Sequence, residues 1–136
     1  QGISNGGSYY WQQEFGTDES FLDGSSVAIA ANIESGDYDI GQQGIEGPIG
    51  GEFMMRISRI IPDFGAQTGD AKVYLNTKAF PTSSAISTSY NSTTSTTQIF
   101  TRQRARQIAL KIGNISTGQS WRMGTFRLDI HAGGRR

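Results

Sequence analysis

Apolar and polar positions alternate along most of this chain with a period of two residues. No window of a dozen residues carries a sustained apolar repeat of 3.6. The pattern predicts an all-β domain, each strand with one buried and one wet face. Tyr9, Trp11, Gln13 and Phe15 share one parity, and Val27, Ile29, Ala31 and Ile33 form a second run with an expected buried face. Phe53, Met55, Ile57 and Ile61 alternate with Met54, Arg56 and Ser58 until Pro62, which cannot donate a ladder hydrogen bond, and Asp63-Phe64-Gly65 reads as a turn. Val73, Leu75 and Ala79 mark a strand ended by Pro81, and Ile108, Leu110 and Ile112 share a face closed by Gly113-Asn114. In the last strand, Trp121 to His131, the apolar parity switches between Trp121/Met123 and Phe126/Leu128/Ile130. A bulge at Gly124, using its tolerance of positive φ, would return both groups to the core; burial on both faces is the alternative.

Two segments interrupt the alternation. Residues 35–51 hold six Gly and one Pro in seventeen positions and are expected to form a long loop. Residues 82–97 hold twelve Ser or Thr in sixteen, which suits an exposed ribbon or loop. Seven or eight short strands with these turn spacings predict a two-sheet antiparallel β-sandwich, Ig-like or jelly-roll-like, in one domain spanning residues 1–136. The chain opens on Gln1 rather than Met, and is read as processed or cut from something longer.

Composition removes several kinds of chemistry. With no Cys and the single histidine His131, thiol catalysis, Cys/His zinc sites and a Ser-His-Asp triad lose most of their parts. No run nears the roughly 18 apolar residues of a membrane span, and no membrane partner is expected. The formal net charge is zero, so no whole-molecule field favours nucleic acid, and sequence-specific nucleic-acid binding is not expected. That zero is the sum of two opposite halves. Residues 1–70 carry eleven acids and two bases, a net of −9, whereas residues 71–136 carry ten bases and one acid, a net of +9. Either strands of the two halves interleave so that opposite charges neighbour one another, or an acidic and a basic face survive folding and copies dock head to tail.

The basic half contains Arg102, Arg104 and Arg106 in alternation, which in a strand would form a stripe of guanidiniums about 7 Å apart on one face. Such a stripe needs acids to answer it, from within the domain or from a partner. An unbroken strand would put it on the face of Ile108, Leu110 and Ile112, so a bulge must intervene or that face becomes an interface. Candidate acids are Asp18 and Glu19 in TDESFLDGS and Asp37 and Asp39 in GDYDIG. Neither segment has the ligand spacing of an EF-hand, and both read as turns without a metal. His131 has no nucleophile elbow nearby, so the chain is not expected to be an enzyme or to need a cofactor. Tyr9, Tyr10, Trp11 and Tyr38 offer an aromatic platform, which makes a carbohydrate-binding sandwich the alternative function.

Three stretches, FMMRISRIIPDFGAQTG, RQRARQIALKIGN and the terminal WRMGTFRLDIHAGGRR, together resemble the C-terminal region of large structural proteins of tailed bacteriophages, including tail-tube or nozzle-like proteins of short-tailed phages. The likeness covers roughly residues 52–136. Met123 stands where that family has Leu, and Ala132-Gly133 where it has Pro-Asp. The resemblance implies a non-enzymatic domain of a multi-copy virion assembly, located in the extracellular particle, with copies of itself and neighbouring virion structural proteins as partners. In such a homo-oligomer, Arg102, Arg104, Arg106, Arg135 and Arg136 are expected to meet acids such as Asp18, Glu19, Asp37 and Asp39.

Overall fold

A computed structural model describes residues 16–21, 23–40, 42–44, 47–49, 53–114 and 116–135. Its strands are β1 (Asp18–Ser20), β2 (Ser26–Ala28), β3 (Asn32–Glu34), β4 (Gln42–Gly44), β5 (Gly47–Ile49), β6 (Phe53–Ile61), β7 (Phe64–Thr68), β8 (Ala71–Lys78), β9 (Ile86–Ser92), β10 (Ile99–Ala105), β11 (Gln107–Gly113), β12 (Ser120–Met123) and β13 (Arg127–Arg135). The fold is all-β and sandwich-like, and every strand pair is antiparallel. One sheet has the order β10-β6-β13 and the other β3-β11-β8-β9; β7/β12, β1/β2 and β4/β5 form separate pairs. The strand expected over residues 9–15 lies outside the described residues.

The core lies between the two larger sheets. Met55, Ile57, Ile60, Ile99 and Ala105 come from the first, and Val73, Leu75, Ile108, Leu110 and Ile112 from the second. In β8 the period-two rule is fully realised, with Ala71, Val73, Leu75 and Thr77 buried and the residues between them half-buried. Thr77 is tolerated there because its hydroxyl donates to the Ile86 carbonyl at 3.1 Å.

In β6 the expected parity holds for Met55 and Ile57 and then shifts, so that Ile60 rather than Ile61 is fully buried. A bulge is responsible. Arg59 faces Asp129 and Ile57 faces Ile130, which leaves Ser58 as an extra residue against β13. The parity switch before His131 has another origin than the one expected. Trp121 and Leu128 belong to different strands in different sheets, and Met123 stays exposed. Gly124 does not have positive φ; it is needed because its N–H donates to the Asp63 carbonyl at 2.7 Å, and a Cβ there would lie 2.8 Å from that oxygen.

Two further expectations are corrected. Val27, Ile29 and Ile33 do not share a buried face; each is about half exposed. β2 pairs only with β1 and β3 is an edge strand, so among the described residues no second layer covers them. The glycine-rich stretch is also not all loop, since β4 and β5 pair within it, and Tyr38 bridges to Ile108. In the Ser/Thr-rich stretch, β9 forms the outer strand beside β8.

Candidate docking face

The chain leaves one sheet and enters the other between β10 and β11, bending at Arg106, whose N–H donates to the Lys78 carbonyl at 3.1 Å. This corner resolves the conflict between the arginine stripe and the apolar run that follows it. Odd positions Ile99, Thr101 and Ala105 face inward before the bend, and Ile108, Leu110 and Ile112 face inward after it. Arg102 and Arg104 therefore point to solvent on the outer face of the three-stranded sheet. Arg106 leaves the stripe, its guanidinium 5.2 Å from the centre of the Phe80 ring.

Strand register then gathers further groups onto that face. Arg104 is paired with Arg56 on β6, and Arg56 with His131 on β13, in a single row across the sheet. Directly opposed side chains in such a row have Cβ atoms about 5 Å apart, and like charges there are disfavoured. A second irregularity, with the extra residue in β10, sets Thr101 and Arg102 together opposite Ser58. Thr101 turns inward to hydrogen-bond Tyr90 at 2.7 Å, so Arg102 turns out. Arg56, Ser58, Arg102, Arg104, His131, Ala132 and Gly133 line an open depression of about 660 Å³. It continues past Phe100, which is 71% exposed.

Among the described residues, no ion pair or hydrogen bond is made by the side chains of Arg56, Arg102 or Arg104. Charged side chains on an edge strand such as β10 are a common guard against unwanted strand pairing. That explanation does not reach Arg56, which sits on the central strand. Elsewhere, opposite charges do meet inside the chain. Lys78 pairs with Asp37, Lys111 with Glu34 at 3.8 Å, and Arg59 with Asp129, its Nε donating to Oδ2 at 2.6 Å. The interleaving of the two charged halves is thus real, yet it stops short of this face.

The other sequence-derived candidates are dispersed. Asp37 serves Lys78, and Asp18 accepts the Gly118 N–H at 2.7 Å, so both act within the copy. Glu19 is exposed on β1, and Asp39 is half-buried beside the bridge at Tyr38. Arg135 belongs to β13 opposite Phe53, while Arg136 lies outside the described residues. Of the aromatic platform, Tyr9, Tyr10 and Trp11 also lie outside them. Tyr38 is half-buried against the core, and that burial pushes its hydroxyl up to about 12. No group of three or more metal-ligating side chains occurs among the described residues.

The sequence does not single out Arg56 or Phe100, and it offers His131 only as a histidine without a nucleophile beside it. Their only sequence signal is a solvent-facing parity; their gathering depends on which strands pair. No protein-family model matches the chain, and no curated protein matches its sequence.

A row of like charges held together without a partner carries a stability cost. Arg56→Gln is expected to raise Tm by about 1–2 °C at low salt, through relief of a few tenths of a kcal/mol of repulsion. Added salt should erase that gain. A melting curve of the variant lower than the parent at low salt would mean that the row is not strained.

Proposed function

We propose that this chain is a non-enzymatic assembly domain of a tailed-phage virion, present in many copies, whose basic sheet face docks onto acidic surface of a neighbouring copy or structural protein. One observation carries the reading: Arg56, Arg102 and Arg104 share an open face on which no acid answers them among the described residues, although three other bases of the chain have acidic partners. Guanidiniums suit this role because they are weakly hydrated, always charged and match carboxylates in a fork. The broad, shallow shape fits a protein surface better than an enclosed small molecule. The likeness of residues 52–136 to phage tail structural proteins supports the same reading. Its three stretches include β6, the Arg102–Ala105 end of β10, and β13, the strands that build the face.

Sedimentation velocity over a concentration series, at low and high ionic strength, tests it. Assemblies should form at low salt and dissolve as salt rises, because exposed charge pairs are screened. R102E/R104E should weaken association at least about tenfold, the equivalent of ~1.4 kcal/mol. Association indifferent to both salt and this reversal would overturn the proposal.

A further inference from the structure

The β1–β2 hairpin stands outside the two larger sheets. Like β4/β5 and β7/β12, its strands pair with each other and with no other strand among the described residues. The Gly118 N–H to Asp18 bond is its clearest tie to the body of the chain. Register places Glu19 opposite Val27, on the face that Phe21 shares by parity. Phe21 is 46% and Val27 52% exposed, so the hairpin shows apolar side chains to solvent where a surface ribbon ordinarily shows polar ones.

The tip is acidic and held in shape. Phe21 N–H donates to Ser25 O at 2.9 Å, and Gly24 takes φ +83, a conformation costly to a residue with a Cβ. The Asp23 carboxylate accepts from the Ser25 hydroxyl at 2.6 Å and its N–H at 2.9 Å. The hydroxyl bond first, and then the N–H bond, hold Asp23 below the ordinary carboxylate range. The hairpin therefore presents two carboxylates, Glu19 and Asp23, beside two apolar side chains. The basic face presents Arg56, Arg102 and Arg104 beside the exposed Phe100. Each surface has what the other lacks.

We infer that the β1–β2 hairpin is the arm that fills the basic depression of the next copy, Glu19 and Asp23 meeting Arg102, Arg104 and Arg56 while Phe21 and Val27 cover Phe100. This rests on the docking role proposed above and names its occupant. Arm and depression are different surfaces, so the contact is heterologous and repeats from copy to copy until a ring closes or a filament runs on. A two-stranded hairpin buries less than the ~1,600 Å² of a standard interface, so each contact is weak and salt-sensitive, and a ring gains its stability by holding every copy on two sides.

Charge exchange tests the assignment. E19R/D23S reverses the arm while serine preserves a hydroxyl for the turn, and R102E/R104E reverses the depression. Each variant alone should associate at least about tenfold more weakly than the parent chain in sedimentation velocity. An equimolar mixture of the two should recover association, because the acidic depression of one accepts the basic arm of the other. That recovery also demonstrates that both variants are folded. If R102E/R104E loses association but E19R/D23S keeps it, the arm assignment falls and the docking face stands with a different acidic partner. If the parent chain stays monomeric at every concentration, or both variants associate as the parent does, both proposals fall.

Discussion

Ile57→Ala is expected to lower the unfolding free energy by ~4 kcal/mol, near the upper end for truncating a buried isoleucine. Ile57 has no exposed surface, lies on the central strand of its sheet, and is flanked by Gln103 on β10 and Ile130 on β13. β10 and β13 flank β6 on both edges, so the vacated space has little freedom to collapse, and the cost of a cavity adds to the lost transfer energy. A domain of this size is commonly stable by only about 5–15 kcal/mol, so the variant should melt many degrees lower. Denaturant unfolding should give a lower midpoint with an unchanged slope. Ile86→Ala, at a side chain 70% exposed on β9, should fall within about 0.5 kcal/mol of the parent. Equal effects at the two positions would contradict the packing of the two sheets against each other.

Gly133→Ala is expected to cost ~2 kcal/mol and to disturb the docking face at the same time. Gly133 lines the basic depression, at the point where β13 slips register against β6 between Ala132 and Arg135. A Cβ on it would stand 2.7 Å from the Met54 carbonyl oxygen. That neighbour is backbone and cannot swing aside, so β13 must move off β6 and take His131 away from Arg56. Gly36→Ala, where nothing lies within 4 Å of the new Cβ, should leave stability nearly unchanged. Both variants can be compared by thermal melting and by the association assay. A Gly133→Ala chain as stable and as associative as the parent would show that this close approach does not hold the face in shape.

The strain at these positions and the charges beside them belong to one design. Bulges and close backbone approaches concentrate where a strand must aim particular side chains. Here alternation along β10 turns Arg102 and Arg104 outward, the corner at Arg106 keeps the stripe away from the core, and the glycine at 133 lets β13 bring His131 alongside. The domain accepts like-charge repulsion on that surface while pairing Asp37, Glu34 and Asp129 elsewhere. Such a surface suits the docking role proposed above, because charges that repel one another in the isolated copy would attract a negative partner.

Much of the fold could be read from residue order. Period-two alternation located β6, β8 and β11 and put Val73, Leu75, Ile108, Leu110 and Ile112 on inward faces, as a pleated strand alternates its faces whatever it packs against. Ala79, expected in the strand of Val73 and Leu75, instead lies exposed beyond its end at Lys78. The tension between Arg102/Arg104 and Ile108/Leu110/Ile112 was also legible as a parity conflict needing a break. Missing were the shift from Ile61 to Ile60, the exposure of Val27, Ile29 and Ile33, and the gathering of Arg56 with Arg104 and His131. Alternation says which side of a strand a residue occupies, but not whether a second layer covers that side.

Residue order alone therefore determined the class of fold, the division of charge between the halves and the poverty of catalytic groups, since each is a property of local pattern or composition. Tertiary structure decided which acids are answered at home and which arginines face outward together. Those outcomes depend on strand pairing and register between segments dozens of residues apart, where one bulged residue moves every following side chain to the opposite face.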